Sequence, residues 1–595
     1  MSTAGNVSLK VENVVWDLHD LYAGAEDPQL LADIQLCSRQ AEELHQQYFG
    51  TIASRTANEL FTLLSVLEKN DALLGRLSTY AFLHFTTQTS NDKASALLQK
   101  IEELAAEVGR RTIFFRLEWN RIEESLAHLM LAAPELVHYR YYLENLRKFA
   151  PHQLSGPEEE LLQQFGPVGR SAWVLLFDKI MANMKFGEKK RTEEEVLSDL
   201  HSSEPEVRKQ AADDMTHGLQ DNLHILTHIF NTLASEKMIT DRVRKYPGWC
   251  AHMDLENGLE SHTVDTLIQV VVSRYDLVEK YYRLKKNILA VDTLFDFDRY
   301  APIPTSTGDQ LVDWQQCQRM VLEAFQDFSG EMHDIALLFF EKNWIHAPVA
   351  EGKRGGAFAH PCVPGVHPYV MVNYTGGMRD VSTVAHELGH GVHQYLAAKQ
   401  GLYNSDTPLV LAETASVFAE FLVFKKQLQC FDSAEEKRAF ICQKIESIFA
   451  TVFRQVAMNR FEHQMHTRRK DQGELAGEEF AQIWIETQQA MFGDSVQLTE
   501  NYRVWWSYIP HFLSTPGYVY SYAFGELLVL SLYSQYEEQG EKFVGNYLEL
   551  LRSGGKDSPY SLLTPFGIDL DQPSFWQGGM KIIEELLSQV LTVSQ

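Results

Sequence analysis

The chain has 595 residues, a length that requires more than one compact core. Hydrophobic residues at 45% and charged residues at 22% are the balance of a folded globular protein, not of a disordered one. A formal net charge of −27 argues against nucleic acid and anionic membrane as partners, because both are negative and demand a basic face.

The opening residues, MSTAGNVSLKVENVVW, lack the basic and apolar regions of a secretory signal. No uncharged apolar run approaches the roughly 18 residues that span a bilayer. Six cysteines (Cys37, Cys250, Cys317, Cys362, Cys430, Cys442) lie far apart without C-x-x-C pairs. They read as reduced thiols, which points to the cytoplasm. The ordered part begins at WDLHDLY, 16–22. From about 28 to 147 the pattern is helical: Leu97, Leu98, Ile101, Leu104, Ala105 and Val108 recur at steps of three and four in a charged background. Similar stripes run through 56–75 and 112–131, and all of them read as core seams. The charged, turn-rich passage 186–205 is the expected boundary between an N-terminal helical lobe, 1–200, and a larger catalytic lobe, 201–595. Helical periodicity resumes at Glu206 and runs to about Ala290. Near Gly352 the texture turns to Gly and Pro, with a strand-like run at 369–374. That strand is expected either to offer an open edge to an extended peptide or to form a small sheet under the next helix. His360 and His367 in the same stretch are expected to be incidental.

Residues 380–401, DVSTVAHELGHGVHQYLAAKQG, hold His386, Glu387 and His390 in the order H-E-x-x-H. On a helix, positions i and i+4 project from one face, so two imidazoles can bite one Zn²⁺. Glu387 can flank that metal and take the proton of an attacking water. Asp380 or Ser382 can cap the helix and Gly401 can end it. Gly389 is a poor helix former, and its presence suggests close approach by another element. The third ligand is expected 23 positions after His390, at Glu413. Its helix follows caps at Asp406 or Thr407 and Pro408 at the first turn. A carboxylate among Leu409, Leu411, Ala412, Ala415, Val417 and Phe418 needs a partner, and a metal is one. His386, His390 and Glu413 then make a set of three with a fourth position open, the catalytic pattern. Glu420 is expected to support them, and His393 either lines the site or is a core histidine. Further on, 502–526 concentrates aromatics around His511, Tyr518 and Tyr522. An imidazole N–H and a phenol are neutral donors suited to an oxyanion, while a plain aromatic core is the competing reading.

WDLHDLY at 16–22, GKRGGAF at 352–358, HPYVMVNYTGG at 367–377, DVSTVAHELGHGVH at 380–393, LAETAS at 411–416 and IPHF at 509–512 together resemble the M3 zinc metallopeptidases, in their oligoendopeptidase F branch. The resemblance covers nearly the whole chain. It implies a mainly α-helical fold of two lobes around a deep channel, with a zincin-type helix and a small β-sheet at the channel floor. It implies one Zn²⁺ on His386, His390 and Glu413, and Glu387 as general base and acid. It further implies oxyanion contacts from His511 and from Tyr522 or Tyr518, with Tyr522 preferred, since TPGYVYSY departs from the branch's usual PFYVYQY. The expected activity is hydrolysis of internal bonds in short, unfolded oligopeptides by a metal-activated water. The alternatives are a non-catalytic peptide-binding protein of the same fold and a zinc carboxypeptidase.

Overall fold

A computed structural model describes residues 3–305 and 311–593. The chain is mainly helical, with one three-stranded sheet. It packs as two compact units, each assembled from three separate segments. Met1–Ala150, Asp309–Cys430 and Gln535–Ile568 form one; Pro151–Gly308, Phe431–Ser534 and Asp569–Gln595 form the other. This partition differs from a single division near residue 200. The charged passage at 186–205 lies wholly inside the second unit. Phe186 is buried there and bridges Arg191, and Thr192 caps the helix Glu193–Asp199. Its turn signals mark a tight reversal, not a linker.

In the first unit, the helices Pro28–Tyr48, Ala57–Thr86 and Asp92–Thr112 turn their three- and four-step stripes onto one core. Leu30, Leu77, Ile101, Leu104 and Val108 meet there with Trp16, Leu21 and Tyr22 of the opening segment. The helical reading of 112–131 resolves into two short helices, Phe114–Trp119 and Glu124–Leu131. The sheet comprises β1 (Ile345–His346), β2 (Phe358–His360) and β3 (Tyr369–Met371), in the order β1-β3-β2. β3 runs parallel to β1 and antiparallel to β2, with Ala359 opposite Val370. The expected strand is thus the central one, buried and paired on both sides. It cannot offer the open edge considered from sequence; the edge strands are β1 and β2. Lys353, from the Gly-rich loop before β2, donates its ammonium to Pro348 O at 2.8 Å and Val372 O at 2.7 Å and so pins that loop to the ends of the sheet.

In the second unit, the helices Pro205–Val243, Phe453–Gln472 and Gly477–Phe492 close on an aromatic-rich core that includes Phe230, Phe461, Trp484, Trp506 and Phe512. No helix among the described residues is long and apolar enough to cross a membrane. All six cysteines are free thiols; Cys37, Cys317 and Cys442 are buried and Cys430 is exposed.

Candidate metal centre and active site

The H-E-x-x-H segment lies on the helix Met378–Ala397. The helix begins before Asp380, and the Asp380 carboxylate reaches back to accept Thr375 N–H at 2.8 Å and Gly377 N–H at 3.2 Å. Val381, Val384, Leu388, Val392 and Leu396 fix the buried face. Glu413 lies on the helix Leu409–Gln427, whose N-cap is Pro408. No side chain caps it, so the expected caps at Asp406 and Thr407 are not used; the Thr407 hydroxyl instead lies 3.4 Å from His393 Nε2.

These two helices cross at Gly389. A Cβ on that residue would stand 2.6 Å from Ala415 O, 2.7 Å from Ser416 Cα and 2.8 Å from Ala419 Cβ. Only a residue without a side chain lets the backbones come this close. The contact brings Glu413 Oε2 to 3.4 Å from His386 Nε2 and 3.6 Å from His390 Nε2. One donor atom from each of the three residues lies within 4.8 Å of the others, and among the described residues no other group of three does so. Four-coordinate tetrahedral bonds of roughly 2.0–2.1 Å place donors about 3.3–3.4 Å apart, so the spacing fits one Zn²⁺ held by two nitrogens and an oxygen.

Further partners orient each donor. His386 turns Nδ1 to Glu420 Oε2 at 3.3 Å, which leaves Nε2 facing Glu413. His390 is hydrogen-bonded to the backbone of Ala412, and Ser416 Oγ donates to Glu413 Oε2 at 2.7 Å. Burial works against a charged His386, but the hydrogen bond to Glu420 and the charges of Glu413, Glu420 and Glu387 outweigh it and hold it up at about 9. Burial holds His390 below the ordinary imidazole value; Glu413 opposes this and His386 adds to it. Glu387 is buried. Burial pushes its carboxyl up to about 7, with His386 pulling down, Glu413 pushing up and a backbone hydrogen bond from Ala359 pulling down. The same Ala359 offers its carbonyl to Gln394 Nε2 at 3.5 Å, so the outward groups of β2 face the H-E-x-x-H helix.

The second unit gathers His511, Tyr518 and Tyr522. His511 Nε2 lies 3.2 Å from the Tyr522 hydroxyl. The His511 and Tyr518 rings are parallel with centroids 6.3 Å apart, and Tyr518 meets Tyr522 edge-on at 5.0 Å. Burial, reinforced by Arg454, holds His511 below the ordinary imidazole value. These three come from a short helix, His511–Ser514, a turn and the helix Tyr520–Gln539, not from one aromatic helix.

His393 stands outside the metal-ligand group; it is buried and pushed down to about 3, by burial first and His390 second. His367 stacks on Trp344 at 3.9 Å and His360 packs on Phe82 at 5.4 Å, both as ordinary ring contacts. Sequence reasoning did not find Ala359, Gln394 or Ser416. Ala359 acts through its backbone, which leaves no mark in residue type. Ser416 was visible as a hydroxyl one turn after Glu413 and could have been found that way.

Residues 199–582 match the family model described as Peptidase family M3, and residues 118–186 match the one described as Oligopeptidase F. The chain belongs to peptidase family M3 and is a hydrolase of peptide bonds. Its relatives place it in the oligoendopeptidase F branch. Oligopeptidase PepF of Bacillus subtilis (strain 168) is 28% identical over 556 residues, 91% of this chain and 82% of that protein. An oligoendopeptidase F homolog of Borreliella burgdorferi is 24% identical over 98% of this chain and 99% of its own. In fold, the chain is similar to a crystal structure from Chlamydophila abortus, with a TM-score of 0.85 and 24% identity over 98% of both chains. It is also similar to oligoendopeptidase-F from Enterococcus faecium, with a TM-score of 0.71 and 21% identity over 95% of this chain and 98% of that one.

Proposed function

We propose that the chain is a zinc-dependent endopeptidase that hydrolyses internal bonds of short, unfolded oligopeptides in the cytoplasm. The observation that carries this is the donor group of His386, His390 and Glu413, whose two imidazole–carboxylate separations are 3.4 and 3.6 Å, next in sequence to the buried Glu387. The relatives' names, oligopeptidase and oligoendopeptidase, support the substrate class, and six free thiols support the compartment. Zinc bound there would supply Lewis acidity to the scissile carbonyl and acidify the attacking water.

The protein's own groups do the rest. Glu420, the Ala412 backbone and Ser416 hold the three donors in place. Glu387, with its carboxyl near neutrality, takes the proton of the attacking water and returns one to the leaving amine. Ala359 N–H fixes the direction of that carboxylate. The family resemblance assigns His511 and Tyr522 as donors to the oxyanion, with Tyr518 as the alternative, and within their own unit the three side chains lie together.

Glu387→Gln tests the assignment. Zinc content stays at one per chain while turnover falls by about three orders of magnitude or more, the scale of losing a positioned base. Wild-type hydrolysis in a zinc-replete Gln variant would falsify it. Product masses from one defined peptide separate internal cleavage from C-terminal trimming, and binding without any product would identify a non-catalytic binder.

A further inference from the structure

The segment 515–518, Thr-Pro-Gly-Tyr, is a tight turn closed by Tyr518 N–H to Thr515 O at 3.2 Å. Pro516 stands at its second position and Gly517 at its third, with φ +83°, the arrangement of a type II turn. Type I and type II turns differ by a flip of the central peptide, whose N–H is that of Gly517 and takes no part in closing the turn. Pro at the second position and Gly at the third already favour type II, and a group outside the turn that binds the Gly517 N–H adds to that preference.

That group is Glu462, on the helix Phe453–Gln472. Its side chain is fully buried, and Oε1 accepts Gly517 N–H at 2.7 Å. Its other oxygen makes no hydrogen bond among the described residues, and His466 Nε2, also unbonded, lies 3.9 Å from Oε1. On the opposite side of the same residue, Cys250 Sγ donates to Gly517 O at 3.7 Å. A Cβ on Gly517 would stand 3.1 Å from that sulfur and 3.4 Å from Met253 Cβ, so the turn is clasped between two helices of one unit. A carboxyl is costly to bury, and this one spends its single hydrogen bond on a turn. The next residue is Tyr518, and the turn joins the helix that carries His511 to the helix that carries Tyr522.

We propose that Glu462 is a positioning residue: by holding the central peptide of the 515–518 turn, it sets Tyr518 against His511 and Tyr522. The consequence for turnover rests on the oxyanion role given to those side chains above. Glu462→Leu removes the acceptor, whereas Glu462→Gln keeps a carbonyl oxygen at the same reach. Two readouts are compared in zinc-replete full-length enzyme: hydrogen exchange of the peptide spanning 515–519, and kcat with KM. In the Leu variant the Gly517 amide loses protection and kcat falls about tenfold or more, the scale of a small misplacement, with KM unchanged. In the Gln variant both readouts stay near wild type. Unchanged exchange in the Leu variant, equal impairment of Leu and Gln, or full kcat despite lost protection would each overturn the proposal. If the Leu variant does not fold, the Gln variant decides: lost protection or a lowered kcat there overturns the proposal, and wild-type values support it. Full turnover in both His511→Ala and Tyr522→Phe would refute the oxyanion reading instead, and the exchange result then decides the clamp by itself.

Discussion

Gly389→Ala tests how the proposed metal centre is assembled. The new methyl would stand 2.6–2.8 Å from Ala415 O, Ser416 Cα and Ala419 Cβ. Ordinary carbon contacts lie at about 3.5–4.0 Å, so the helices Met378–Ala397 and Leu409–Gln427 must separate by about 1 Å. Two of the three atoms met are backbone, which leaves no flexible side chain to swing aside. Overpacking costs about 1–3 kcal/mol, and replacing a mid-helix glycine returns about 1 kcal/mol, so the net loss of stability is small, roughly 0–2 kcal/mol. The metal site is less forgiving. Ligand positions tolerate about 0.2 Å, and a 1 Å shift of Glu413 exceeds that several times over. Zinc affinity should fall by roughly 10–100-fold, the range seen when a ligand loses its support. Competition with a chelator measures the affinity and a thermal melt measures the fold. Gly391→Ala is the control: its methyl meets Phe339 Cζ at 2.7 Å, on a face away from Glu413. It should lower stability and leave zinc affinity unchanged. A Gly389→Ala enzyme that binds zinc like wild type would refute the view that this crossing places Glu413.

Other expectations follow from the same contacts. His386→Ala and Glu413→Ala should lose zinc and activity together, read by elemental analysis beside a peptide assay; a variant that keeps both would remove that residue from the metal. Ser416→Ala frees Glu413 Oε2 of its 2.7 Å hydrogen bond and should weaken zinc about tenfold without unfolding the chain, and unchanged affinity would make that hydroxyl incidental. The fold should weaken in acid through neutral buried histidines. Burial, with help from nearby cations, pushes His346 and His466 down to about 3, while an unfolded imidazole protonates near 6.5. The unfolded chain then binds more protons, so their contribution is complete above about pH 6.5 and is lost as pH falls toward 3. Urea midpoints at pH 7.5 and 5 test the sign, and a higher midpoint at pH 5 would contradict it.

The elements legible in the sequence were those whose meaning lies in spacing. The H-E-x-x-H pair, the run of Leu97 to Val108 and the apolar context of Glu413 each follow a helical period, and the structure places them on the helices Met378–Ala397, Asp92–Thr112 and Leu409–Gln427. Gly389 could be flagged because a glycine in mid-helix has a cost that something must offset. What spacing could not carry was strand order. β1 has two residues and β2 has three, too short for alternation to register, so the sequence left the 369–374 run open between a free edge and a strand of a small sheet, and the structure makes it the centre of that sheet. Nor could it give the unit boundaries, because each unit collects three distant segments and only packing reveals which of them share a core. The same limit governs the chemistry. His386, His390 and Glu413 are visible as side-chain types, whereas the groups that aim them and Glu387 are in part backbone, at Ala412 and Ala359, and any residue type supplies those. Gly517 joins both cases: its type betrays the positive φ of a turn, but that Glu462, 55 positions earlier, holds the turn's amide is a fact of packing alone.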